Sequence, residues 1–236
     1  MDIITLASRK GGAGKSTLTA QLAAQAHALG KRVLVIDSDP QGSLKLWHSR
    51  RAGEGMKLVT PERAGLDRAV AFAMIEGFDT VFIDTAATMW VVVQEAIRAA
   101  TLVLIPARPG FFDLDAVLET VKTARERGKP YAVVINAAPV RRDDKDTALV
   151  AQSRAYFEER QIPVWAGQIS QRAGFQSTLA AGASAAEIGP NTAAGVEIAG
   201  LWGAIERSIE AINTARFKPG QPANADVQVV VGEQAA

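Results

Sequence analysis

The ten residues SRKGGAGKST, positions 8–17, hold two lysines, Lys10 and Lys15, on either side of Gly11, Gly12, Ala13 and Gly14. Small residues followed by Gly-Lys-Ser form a cradle for phosphate. Glycines let the backbone turn so that consecutive amide hydrogens converge on phosphate oxygens, and the helix that follows adds the partial positive charge of its start. In this pattern Lys15 reaches the β- and γ-phosphates, the Ser16 hydroxyl ligates Mg²⁺, and Thr17 meets the α-phosphate. The general pattern opens with a glycine, and here Arg9 takes that place. One lysine suffices for such a loop, so Lys10 needs a separate explanation.

Carboxylates follow at the ends of apolar runs. In VLVIDSDPQGS, Asp37 and Asp39 are two residues apart, which puts them on one face of an extended chain. The Asp-Pro step also favours an Asx-type turn, and the two roles are compatible. In FDTVFIDTAAT, four residues ending in an apolar pair lead to Asp84, a Walker B pattern that brings a carboxylate to Mg²⁺ through water. Asn136 closes the run YAVVIN, and no guanine-reading NKxD-type motif accompanies it, which favours ATP over GTP.

KGGAGKS resembles the deviant Walker A motif of the ParA/MinD ATPases, whose signature is the additional lysine. The resemblance runs from residue 2 to about residue 213. It implies a P-loop ATPase that uses ATP and Mg²⁺ and pairs as a nucleotide-sandwich homodimer, with Lys10 of one copy reaching the phosphates held by Lys15 of the other. It further implies that Asp37 supports the magnesium shell, Asp39 orients the attacking water, and Asn136 reads the adenine edge. The segment LVLIPARPGFFDLDAV resembles one that approaches the base and the dimer interface, which makes Pro106 and Asp113 weaker candidates. The family commonly has two prolines where this chain has Ala86 and Ala87. Small members partition or position a cargo such as a plasmid, a chromosome region or a protein assembly. They bind nonspecific DNA as ATP dimers and are released when a ParB-like or cargo-adaptor protein stimulates hydrolysis. Candidate phosphate contacts for DNA are Arg50, Arg51, Arg141, Arg142, Arg172, Arg207, Arg216 and Lys218. Two alternatives share the loop: a metabolic ATP-dependent synthetase or carboxylase, and a MinD-like membrane-cycling ATPase. The second needs a basic amphipathic helix, and the segment after Phe217 offers one lysine and two prolines.

Positioning these residues requires strands that end at them. Apolar runs at 3–8, 32–37, 80–84, 101–106 and 131–136, with a weaker one at 164–169, are continuous rather than alternating, as parallel strands covered on both faces are. Helical segments are expected at 15–29, 62–76, 90–99, 113–127, 146–160 and 193–213. Alternation of the two types predicts an α/β fold, a doubly wound and mostly parallel sheet with helices on both faces, whose ligand sits beyond the carboxyl ends of the strands. Residues 1–216 form the expected single ATPase domain and 217–236 an expected flexible tail.

Composition excludes other chemistries. The 236 residues include no cysteine, which removes disulfides, thiolate zinc sites, cysteine nucleophiles and cysteine-held iron–sulfur clusters. A net charge of +1 gives no global pull on nucleic acid, so DNA contact must come from local patches. Without a leader-like start or a long apolar run, the expectation is a cytoplasmic protein that associates with the nucleoid and not with a membrane.

Overall fold

Six short runs of Val, Ile and Leu become the strands of one parallel sheet: β1 (Asp2–Leu6), β2 (Val33–Asp37), β3 (Lys57–Val59), β4 (Thr80–Asp84), β5 (Leu102–Ala107) and β6 (Tyr131–Ile135). The computed structural model describes residues 1–51, 55–61, 65–143 and 145–216. The expected tail, Lys218 and the first residues of the helix expected at 62–76 lie outside them.

The strand order is β3-β2-β4-β1-β5-β6, and every pairing is parallel. Helices α1 (Lys15–Ala28), α2 (Ser43–Ser49), α7 (Ala173–Ala180), α8 (Ala185–Ile188) and α9 (Ala193–Arg216) build one layer. On that face Leu18, Leu22, Ile198, Leu201, Trp202 and Ile205 pack on Ile4, Phe82, Leu104 and Val134. Helix α1 lies between the sheet and α9 and is alanine-rich and buried along most of its length, since close approach on two sides leaves no room for larger side chains.

The opposite face is covered by α3 (Leu66–Ile75), α4 (Trp90–Ala99), α5 (Phe111–Glu126) and α6 (Ala148–Glu158). Strand residues alternate between the two faces: Ile4, Phe82, Leu104 and Val134 turn toward α1 and α9, while Ile3, Leu34, Ile36, Val81 and Ile83 turn toward α3 and α4, and Val103, Ile105, Val133 and Ile135 toward α4, α5 and α6. Because β2, β4 and β1 are neighbours, the loops after them leave the carboxyl edge side by side. That edge carries the motifs.

One expected strand is absent. Residues 164–169 run beside β6 without a continuous ladder: they meet it at the bridge Val133–Val164 and again where the Ile169 N–H donates to Ile135 O at 2.9 Å, with the bridge Ala138–Ser170 beyond. Carbonyls that a ladder would use are taken by a guanidinium group, Arg154 donating to Trp165 O and Gly167 O, each at 2.8 Å, and Arg141 donates to Ala166 O at 3.1 Å.

Candidate functional site

Glycine at position 14 is dictated twice. Its φ of 96° lies in the left-handed region, and a Cβ there would stand 2.1 Å from Asn136 Nδ2. Gly12 also has a positive φ, of 74°, and a Cβ on it or on Gly11 would meet nothing within 4 Å, so the loop's outer surface is open. Gly14 caps α1 without a side-chain acceptor, and no acidic residue stands in the first turn, which leaves the leading N–H groups for a bound anion. The loop is braced from within: Lys10 N–H donates to Ser8 Oγ at 3.2 Å, and Asn136 Nδ2 donates to Ala13 O at 2.7 Å. Asn136 is 6% exposed, and its amide donor holds the loop.

Lys15 is 7% exposed, and its Nζ lies 3.4 Å from the Lys10 carbonyl. Burial lowers its pKa from the usual lysine range, while Asp84 and Asp39 pull the other way. Asp84, at the end of β4, is buried completely. Ser16 Oγ donates to its Oδ2 at 2.6 Å and Thr19 Oγ1 to its Oδ1 at 3.3 Å. Burial raises the Asp84 pKa to about 7; the Ser16 bond and Lys15 oppose that rise, and the charges of Asp37 and Asp39 add to it. Asp37 is the in-register neighbour of Asp84 across the β2–β4 pair. It accepts backbone N–H groups of Asp39 (3.1 Å) and Lys45 (3.2 Å), and burial holds its pKa above the ordinary value.

Asp39 is half-buried at the lip, and its Oδ1 accepts the Gln41 N–H at 3.0 Å, the Asx turn expected of this sequence. Lys10 is half-buried and joins no ion pair among the described residues. Thr19 escaped the sequence reading although it stands one turn beyond Ser16 on the same face of α1, a spacing that pointed to it.

The oxygen donors Ser16, Asp37 and Asp84 fit a hard divalent cation. Among the described residues no group of three or more His, Cys, Asp or Glu could hold a metal alone. That suits Mg²⁺, which is bound by one or two carboxylates together with substrate phosphates. Two adjacent buried acids with one buried lysine beside them also need a further cation to be ionised together.

Of the arginines considered for DNA, three are engaged internally. Arg51 pairs with Glu187 and donates to Gly182 O, Arg141 pairs with Asp146 at 2.7 Å, and Arg172 pairs with Glu197 at 2.9 Å. Arg50, Arg142, Arg207 and Arg216 are exposed. Pro106 is buried within β5 beside Val134, which removes it as a surface contact, and Asp113 lies in the first turn of α5.

A parallel sheet with a glycine loop opening α1 and acids ending β2 and β4 defines a P-loop nucleotide-binding protein. Residues 4–184 match the CbiA family, the CobQ/CobB/MinD/ParA nucleotide binding domain, and the chain belongs to that family. It is an ATPase. The chain is 30% identical over 192 residues to the chromosome-partitioning ATPase Soj of Thermus thermophilus, covering 66% of this chain and 77% of that protein. It is 29% identical over 166 residues to the maintenance of carboxysome distribution protein A of Gloeobacter kilaueensis, covering 69% and 74%. Its fold is similar to that in the MinC:MinD cell division protein complex of Aquifex aeolicus, with a TM-score of 0.72 at 17% identity over 88% of this chain and 96% of that one.

Proposed function

We propose that this ATPase partitions or positions a cargo, by pairing with a second copy when ATP is bound, holding nonspecific DNA as a dimer, and leaving the DNA when a partner protein stimulates hydrolysis. The observation that carries the reading is the division between two lysines on one loop: Lys15 is buried beside Asp84, and Lys10 stands at the rim without an ion-pair partner among the described residues. A lysine already committed to its own site leaves the second free to serve a neighbour's.

Mg²⁺·ATP supplies the transferable phosphoryl group and the cation that neutralises its charge. Ser16 and Asp84 hold the metal side, with Asp37 supporting the shell, and the loop amides of Gly11–Gly14 with Lys15 hold the phosphates. Ala13 contributes its backbone, and Thr17 meets the α-phosphate. The Asp39 carboxylate holds the attacking water in line, a task of positioning more than of proton affinity. Lys10 of the second copy completes the charge around the γ-phosphate, and groups supplied in trans contribute about 10³–10⁵ in rate in other nucleotide hydrolases. Asn136 acts one step back, by fixing the Ala13 carbonyl and with it the loop.

Sequence relatives that partition chromosomes or distribute carboxysomes favour this reading over a synthetase. No helix among the described residues is long and apolar enough to cross a membrane. For DNA, exposed Arg50, Arg142, Arg207 and Arg216 are the candidate phosphate contacts; in a dimer each is doubled, and a near-neutral chain gains a basic stripe. The cytoplasm, on the nucleoid, is where such a cycle runs.

Light scattering with and without Mg²⁺·ATP tests the central claim. Wild type doubles its mass with ATP; Lys15→Ala loses nucleotide affinity; Lys10→Ala keeps the affinity yet neither dimerises nor hydrolyses normally. Equal loss of affinity in both variants, or a single copy at every concentration of ATP-loaded wild type, overturns the proposal.

A further inference from the structure

Arg9 fills the first place of the phosphate-loop pattern, and its guanidinium lies 5.1 Å from the centroid of the Trp90 ring. Its Nη1 also stands 3.7 Å from Glu119 Oε2 on α5. Trp90 is the first residue of α4, and it packs against the core between that helix, α5 and the sheet. From Asp84 to Trp90 the chain runs Thr85-Ala86-Ala87-Thr88-Met89. At the near end Thr85 Oγ1 donates to the Leu6 carbonyl, where β1 finishes, at 2.9 Å.

Both ends of this segment are thus fastened to the same stretch of chain, Thr85 to Leu6 and Trp90 to Arg9, with the phosphate loop growing out of that stretch. The residues between have little hold of their own: Ala86 is buried, but Thr88 and Met89 are exposed, and no proline limits their φ angles. The segment leads directly out of Asp84, the acid that Ser16 of the loop contacts.

We propose that Arg9 is a positioning residue, which ties the phosphate loop to Trp90 so that the seating of the loop and the course of residues 85–89 beside Asp84 change together. The proposal rests on the reading of the loop as the ATP site and adds to it a mechanical link specific to this sequence. An exposed cation–π contact biases an equilibrium by about two- to five-fold, and the ion pair beside it, at half-exposed side chains, adds little. A tie of that strength holds the segment without locking it, and phosphate drawn into the loop is able to shift it.

Protein grown on 5-fluorotryptophan carries reporters at Trp47, Trp90, Trp165 and Trp202, and Trp90→Phe assigns the Trp90 resonance. The probe is Mg²⁺ with β,γ-imido-ATP, its saturation fixed separately by calorimetry. In wild type the Trp90 resonance moves on binding, while that of Trp202, buried on the opposite face, stays. Arg9→Ala abolishes the movement, keeps the analogue affinity within about two-fold and lowers kcat about two- to five-fold. Arg9→Lys recovers part of both, and Trp90→Leu reproduces the kcat loss from the other side of the contact. A Trp90 resonance that stays put although calorimetry records binding overturns the link. So does an Arg9→Ala variant whose affinity and kcat fall together, because that is the signature of a damaged loop. Absence of binding to wild type is a separate result, which overturns the ATP-site reading and the link with it.

Discussion

Asp37 and Asp84 are in-register partners on adjacent parallel strands, so two carboxylates end β2 and β4 side by side, and burial holds both pKa values above the ordinary range. For Asp84 the value reaches about 7, against 3.8 in the unfolded chain. Between those limits the folded metal-free protein binds a proton that the unfolded one does not. Its stabilising contribution is therefore complete below about pH 4 and disappears as pH rises through about 7, with a slope of at most about 1.4 kcal/mol per pH unit. Asp84→Asn removes the titration and retains acceptor and donor atoms for Ser16 and Thr19. In EDTA, the melting temperature of Asp84→Asn minus that of wild type grows between pH 5 and pH 8. Excess Mg²⁺ and ATP reverses the difference at pH 8, since only wild type gains the metal. A pH-independent difference contradicts this account of the pair.

Gly14→Ala strains the loop in two ways, through the left-handed φ and through the approach of its Cβ to Asn136 Nδ2. The backbone term alone costs about 1–2 kcal/mol. Pairing it with Asn136→Ala relieves the close approach but leaves the φ cost and frees the Ala13 carbonyl. Calorimetry with ATP is expected to show binding lost in Gly14→Ala and only partly regained in the double variant. Full recovery places the whole effect in the side-chain approach; no recovery places it in the backbone.

Arg50 and Arg51 are neighbours in sequence with opposite expected phenotypes. The Arg51 side chain is 10% exposed; it pairs with Glu187, whose own side chain completes the capping box of α8, and it stacks on Trp47. Arg51→Ala leaves Glu187 without its cation and costs about 1–3 kcal/mol, which lowers the melting temperature by about 2–4 °C per kcal/mol for a domain of this size. Arg50 is exposed and donates only a long bond to Ala180 O at 3.4 Å. Arg50→Ala leaves the melting temperature in place and reduces the slope of log affinity for DNA against log salt, measured by fluorescence anisotropy on duplexes of unrelated sequence.

Sequence made the sheet legible because five of its strands are continuous apolar runs, and it made the phosphate loop legible because glycine spacing has one purpose there. Elements with weak local signals stayed hidden. Strand β3 is three residues with an exposed lysine, α2 has seven residues, and α8 has four. The internal pairs of Arg51, Arg141 and Arg172 stayed hidden for a different reason. Two of the three acids lie far along the chain, Glu187 being 136 residues from Arg51 and Glu197 25 from Arg172, where a run of sequence shows the cation without its acid, whereas Asp146 is only five residues from Arg141. Asn136 is the same case at the site itself: its bond to Ala13 spans 123 residues.

The failed strand at 164–169 leads to a last expectation. Arg154 reaches Trp165 O and Gly167 O with one guanidinium and Asp146 Oδ2 at 2.6 Å with its Nε, so a single side chain closes the segment onto α6. Burial works to raise the Asp146 pKa, but hydrogen bonds from Arg154 and Arg141 outweigh it and hold the carboxyl below its ordinary value. The stability this lends is present above the unfolded value of 3.8 and is lost as pH falls through the lower folded one. Arg154→Lys keeps the charge yet loses the planar fork that serves two carbonyls and a carboxylate together. Hydrogen exchange is the suitable measurement, because it separates local opening from global unfolding. In Arg154→Lys the amides of Trp165 and Ile169, which donate to Val133 O and Ile135 O, lose protection, while amides inside β1 and β4 keep theirs. Uniform loss across the sheet shows instead that Arg154 supports the whole domain, and an unchanged pattern shows that the bridge residues hold the segment without it.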